Sequence, residues 1–140
     1  MDIIIVCDDL FGLEVYSIIK EINGYIDKNN LDCEKYNVLG FLSDEPSVFD
    51  EKQINLPVFC DMNKWKVSDK EYYVMGIKIP SKKEKAVSLL KEKGARFSSV
   101  VTPWTIMPDN RNIGEGCVIS NYSFKDGAVF EPFVTMINVM

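Results

Sequence analysis

The chain has 140 residues, a formal charge of −5, 46% hydrophobic and 26% charged side chains, and no histidine. That balance fits one globular domain, with room for a short appendage, and excludes a disordered chain. The acidic surplus, with no Lys/Arg cluster interleaved with aromatics, excludes nucleic acid as the main partner.

The chain opens on Met1-Asp2-Ile3-Ile4-Ile5-Val6, which has no basic leader and reads as a strand buried on both faces over residues 3–7. Phe11, Val15, Ile18, Ile19 and Ile22 then recur at helical spacing, and Asn23-Gly24 predicts the helix end, followed by a polar loop over residues 24–35. A second strand is expected over residues 36–42, closed by the turn Ser43-Asp44-Glu45-Pro46. Short strands follow at 57–60 and 72–76. Ser81 and Glu84 form a capping-box pattern opening a helix whose stripe is Ala86, Leu89 and Leu90 and which Gly94 ends. Lys82, Lys83, Lys85, Lys91 and Lys93 read as its solvated face. A fifth strand is expected over residues 97–101. Strands alternating with helices imply an α/β domain with a largely parallel sheet over residues 1–102.

Beyond Thr102-Pro103 the pattern changes. Ile113, Ile119, Phe124, Phe130 and Met136 recur at intervals of 6, 5, 6 and 6, and Cys117, Ser123, Ala128 and Val134 sit four past the first four of them. A six-residue period predicts a triangular parallel β-helix over residues 103–140. Four or five hexads make barely one and a half turns, and Met136-Ile137-Asn138-Val139-Met140 supplies no polar cap, so a longer parent chain or self-association is expected to cover this end. The four cysteines, Cys7, Cys33, Cys60 and Cys117, form no CxxC pair, which fits reduced thiols rather than a disulfide frame or zinc site. No apolar run reaches the ~18 residues of a membrane span, so a cytoplasmic protein with no membrane partner is expected. Trp65 and Trp104 read as packing residues.

These segments, in this order, resemble the sialic acid and bacillosamine type of sugar O- and N-acyltransferases. The resemblance runs through Ile3-Ile4-Ile5-Val6, Phe11-Gly12-Leu13-Glu14-Val15, Val38-Leu39-Gly40-Phe41-Leu42-Ser43-Asp44, Leu56-Pro57-Val58 and Val74-Met75-Gly76-Ile77. It continues in Lys93-Gly94-Ala95-Arg96-Phe97, Val101-Thr102-Pro103 and the opening hexad Ile113-Gly114-Glu115-Gly116-Cys117-Val118-Ile119. It implies a Rossmann-like domain that binds a nucleotide-activated sugar, followed by a left-handed β-helix. In that family the β-helix forms trimers and takes acetyl-CoA as co-substrate between subunits, and a β-helix histidine acts as general base. On this chain the substrate site would comprise Asp8, Asp9, Leu10, Phe11, Gly12, Ser43, Asp44 and Gly76.

Two departures stand out. With no histidine the chain offers no base: Glu115 and Asp126 occupy ordinary turn positions, and Cys117 reads as a small inward residue, so no catalytic residue is assigned. The family's glycine-rich loop is here Cys7-Asp8-Asp9-Leu10. A carboxylate about 4 Å from a phosphate charge costs roughly 4 kcal/mol at an effective dielectric of ~20, about a thousandfold in affinity. Asp8 and Asp9 are therefore expected to turn away as helix N-caps; weakened phosphate binding, or a cation bridging Asp8 or Asp9 to phosphate, are the alternatives. A non-catalytic nucleotide-sugar-binding or assembly module is the main rival reading. A receiver-type signalling domain, with Asp8, Asp9 and Asp61 around Mg²⁺, would need a lysine where Thr102-Pro103 stands. A dinucleotide oxidoreductase lacks G-x-G-x-x-G.

Overall fold

Ile3, Ile4, Ile5 and Val6 have no polar face to turn toward water, and they form the interior strand β1 (Asp2–Val6), buried from both sides. The computed structural model describes residues 1–50, 52, 54–105, 112–120 and 129–137. The expectations for Ser123, Phe124, Asp126, Ala128, Asn138, Val139 and Met140 lie outside those residues. The chain is mixed α/β, with parallel sheets and two α-helices among the described residues.

β1 pairs in parallel with β2 (Asn37–Leu42) and with β4 (Tyr72–Met75), and β3 (Val58–Phe59) adds to the outer side of β2. The order β3-β2-β1-β4 matches the first four strands of a doubly wound sheet. The chain builds outward from β1 on one side and then crosses to the other, so the topological switch lies between β1 and β4. Alternation along β1 sends Ile3, Ile5 and Cys7 into one core cluster with α1 (Phe11–Lys28). Ile4 and Val6 enter the other with α2 (Pro80–Glu92).

The backbone departs from the sequence expectations at three places. First, α1 does not stop at Asn23-Gly24 but continues to Lys28. Ile26 extends the buried stripe one further turn, worth about 1.5–3 kcal/mol, against roughly 1 kcal/mol for a glycine inside a helix. Asn23 is occupied elsewhere: its amide donates to the Tyr36 carbonyl at 2.8 Å and its oxygen accepts from the Tyr36 N–H at 2.9 Å. Second, the capping box is not made. Pro80 takes the first helical position, where no N–H is needed, and Ile79 at the N-cap offers no side-chain bond.

Third, the expected fifth strand divides between two sheets. Phe97 makes a single parallel bridge to Tyr73 of β4. Val100–Val101 forms β5, which pairs instead with β7 (Val118–Ser120). Ser99 sits at this division, its hydroxyl donating to the Gly114 carbonyl at 2.8 Å and accepting from the Cys117 N–H at 3.0 Å.

The second sheet has the order β5-β7-β9, with β9 at Thr135–Ile137; β6 (Asn112–Ile113) and β8 (Val129–Phe130) form a separate parallel pair. Val101 lies beside Ile119, 18 residues on; Ile119 beside Met136 and Ile113 beside Phe130, each 17 on. These offsets are close to three hexads, and the sequence interval of five between Ile119 and Phe124 accounts for 17 in place of 18. Cys117, Ile119 and Phe130 form a small apolar cluster with Val101, Ile113, Val134 and Met136. The alternate residues Val100 and Val118 enter the α1 cluster, with Ile137 packed against it, so the second sheet closes the core on that side.

The lysines in α2 and at its C-cap are not simply a solvated face. Lys93 donates to the Trp65 carbonyl at 2.8 Å, Lys83 to the Phe133 carbonyl at 2.9 Å, Lys91 pairs with Glu115, and Lys82 pairs with Asp8 at 3.6 Å. Among the described residues no helix is long and apolar enough to cross a membrane.

Candidate functional site

In an open parallel sheet the strand ends on either side of the switch point leave a crevice beyond their carboxyl termini. Here its walls come from residues after β1 (Asp8 to Phe11), after β2 (Ser43 to Glu45) and after β4 (Gly76 to Lys78).

The two adjacent acids part company. The Asp9 Oδ1 accepts the Phe11 N–H at 2.8 Å, satisfying the first helical donor of α1 from within the chain. The N-cap itself is Leu10, which makes no side-chain cap bond, so Asp9 meets this donor from one residue before the cap, at the place where a glycine-rich loop would present N–H groups to a phosphate. Asp8 turns instead toward α2 and Lys82, its side chain only 16% exposed. It shares a cleft of about 290 Å³ with Asp44, Glu45, Asn63, Lys82 and Lys85. Asp44 is held by the segment that follows β3, its Oδ1 accepting the Met62 N–H at 2.8 Å.

Leu10 is 41% exposed on the rim, and Phe11 is buried with the Lys78 ammonium 4.8 Å from its ring centre. Asp9, Leu10 and Phe11 line a second cleft of about 540 Å³ with Glu14, Val48 and Lys78. The remaining three expected residues serve the scaffold. A Cβ on Gly12 would lie 2.7 Å from both Cβ and Sγ of Cys7, so this glycine lets α1 sit close on β1. A Cβ on Gly76 would lie 2.9 Å from the Val6 carbonyl, to which the Gly76 N–H donates at 2.7 Å. Ser43 is fully buried, and its hydroxyl accepts the Glu45 N–H at 3.1 Å, closing the turn after β2.

Burial, then the charges of Asp8 and Asp9, push the Cys7 thiol up to about 12. It is a proton-bearing packing group, not a nucleophile. The strand order also differs from the 2-1-3-4-5 order of receiver domains, and among the described residues no three acidic, Cys or His side chains gather as a metal site.

Lys78, Lys82, Lys83 and Lys85 are the crevice residues that sequence reasoning missed. Their usable signal was position: all four follow β4, the strand across the switch from β1. No protein-family model, curated protein or solved structure matches this chain.

Proposed function

We propose that the chain binds a nucleotide-activated sugar in the crevice between the ends of β1, β2 and β4. On this reading it descends from sugar O- and N-acyltransferases of the sialic acid and bacillosamine type, and its second sheet is the start of a left-handed β-helix. The observation that supports it best is the pairing of a switch-point crevice with strands stacked 17–18 residues apart on the same core. Asp44 stands after β2, where an acid in such folds can accept from ribose hydroxyls, and Lys82 and Lys85 offset the acids around it.

In the lineage, acetyl-CoA would be the acyl donor and a trimer would form its site. The chain's own residues, with no histidine among them, supply the binding half of that chemistry. The altered Cys7-Asp8-Asp9-Leu10 loop and the lack of histidine favour a second form of the same reading, a binding or assembly module that has lost catalysis.

Titration with uridine diphosphate N-acetylglucosamine, read by thermal shift and calorimetry, tests the proposal. At a hundredfold excess over Kd the fold should gain about 2.7 kcal/mol. Asp44→Asn should weaken binding about tenfold. No stabilisation by millimolar uridine, thymidine or cytidine nucleotide-sugars would leave the assembly role alone.

A further inference from the structure

Lys83 differs from the other lysines of α2. Its ammonium reaches across to the second sheet, donating to the Phe133 carbonyl at 2.9 Å and to the Thr135 hydroxyl at 2.8 Å. Both acceptors are neutral, and among the described residues Lys83 makes no ion pair. An ammonium has three N–H donors, so one remains for a further acceptor. Thr135 accepts from Lys83 and so keeps its own proton to donate.

Lys78 stands on the same cleft, of about 500 Å³, with Phe11, Glu14 and Pro80. Its ammonium lies over the Phe11 ring, and among the described residues it too makes no ion pair. Among the described residues Glu14 is the one acid lining this cleft and pairs with neither lysine, while Asp9 lines the adjoining cleft that Lys78 also borders. The half-buried Lys83 ammonium loses hydration that a ligand oxyanion would replace, and the exposed Lys78 stands at the same cleft's edge to meet it. Burial already holds the Lys83 amine below the ordinary lysine value.

We propose that Lys78, Lys83 and Thr135 form an oxyanion subsite that takes the phosphoryl groups of a ligand in this cleft. It rests on the nucleotide-sugar reading for the ligand's identity, and it moves the phosphates away from the α1 terminus that Asp9 occupies. Because Thr135 belongs to β9, a bound phosphoryl group would join the two sheets.

Two probes separate this inference from the reading it rests on: inorganic pyrophosphate and uridine diphosphate N-acetylglucosamine, titrated calorimetrically at low salt. Lys78→Met breaks no tether and is the primary variant; Lys83→Met and Thr135→Val follow, with thermal melts to verify folding. Lys78→Met and Thr135→Val should each weaken pyrophosphate binding about tenfold, as expected for loss of one charge-assisted or hydroxyl donor. Pyrophosphate should also slow amide hydrogen exchange in β9 of the wild type. Absence of pyrophosphate binding at on the order of 10 mM, or unchanged affinity in both variants, would overturn the subsite. Nucleotide-sugar binding indifferent to both variants would do the same while sparing the nucleotide-sugar reading. Lys78-dependent pyrophosphate binding without nucleotide-sugar binding would uphold the subsite and end that reading.

Discussion

The ring of Phe133 fills the space that a side chain on Gly116 would need: a Cβ there would lie 2.3 Å from its Cδ1 and Cε1. The two residues are 17 apart, the same offset as the stacked pairs Ile113–Phe130 and Ile119–Met136, and both turn through left-handed backbone, at φ +69° and +65°. Phe133 holds that conformation with edge-on contact to Phe97, ring centres 5.1 Å apart, and with Lys91 5.6 Å from its ring centre. Gly116→Ala should therefore destabilise by about 2–5 kcal/mol, the sum of left-handed strain and overpacking. Urea melts of the single variants and of Gly116→Ala with Phe133→Ala form a cycle. The double variant should lose less than the sum, by about 1 kcal/mol or more, and strict additivity would refute the contact.

Gly12 and Gly76 make a second prediction: both are candidate ligand-facing residues, with a plain strand-end turn the other reading of Gly76, and each packs closely against the chain. Gly12→Ala drives a methyl into Cys7, and Gly76→Ala drives one into the Val6 carbonyl. Each should cost about 1–3 kcal/mol with no ligand present. A variant whose melting temperature stays at the wild-type value while nucleotide-sugar binding fails would return that glycine to the binding site.

The reach of the sequence can be judged from these residues. Periodicity located both helices and β1, because burial on a helical stripe or on both strand faces is written in consecutive side chains. It misjudged the end of α1, since Asn23 serves as a cap in isolation and as a clamp on Tyr36 only after the chain has folded back. The hexad spacing carried the stacking of Ile113 on Phe130, down to the missing residue in the offset. Residues 97–101 looked like one strand because both sheets select the same β-branched and aromatic side chains; the division at Ser99 depends on hydrogen bonds from distant residues. At the site, an acid able to meet the first donor of α1 was legible, but not which of Asp8 and Asp9 would do so. The lysines were opaque for a related reason: a lysine tethered to a carbonyl 50 residues away has the same local spacing as a solvated one.

A buried polar chain behind β4 gives an acid-side prediction. Trp65 Nε1 donates to the Tyr73 hydroxyl at 2.8 Å, and that hydroxyl donates to Glu71 at 2.8 Å; Ser68 also bonds Glu71 through its hydroxyl and its N–H. Burial alone would raise the Glu71 carboxyl, but the bonds from Ser68 and Tyr73 outweigh it and hold it below the ordinary value. Its stabilising contribution is therefore complete above the unfolded value of 4.5 and is lost as pH falls through the lower folded value. Tyr73→Phe should cost about 1–3 kcal/mol at pH 7 by leaving Glu71 and Trp65 short of a partner. Glu71→Gln should flatten the acid limb of a melting-temperature profile below pH 4.5. A limb as steep as the wild type's would refute that role for Glu71.

The thiols give the alkaline counterpart. Cys33 and Cys60 are exposed, whereas Cys7 and Cys117 are buried. Iodoacetamide at pH 8 should therefore label two sites in the folded protein and four after denaturation, as mass spectrometry can count. The Cys7 thiol is raised from 9.0 to about 12, so its proton stays on in the folded state after the unfolded chain has begun to lose it. Its contribution is full below pH 9 and disappears as pH climbs toward 12. Burial raises the phenols of Tyr36 and Tyr73 as well, so they add losses of the same sign above pH 10. Cys7→Ala should be less stable at pH 7, by about 1 kcal/mol for the lost packing, yet should lose less stability between pH 8 and 10 than the wild type. Equal slopes over that interval would mean that Cys7 ionises as readily in the folded chain as in the unfolded one, and would undo the assignment of its thiol to the sealed interface between β1 and α1.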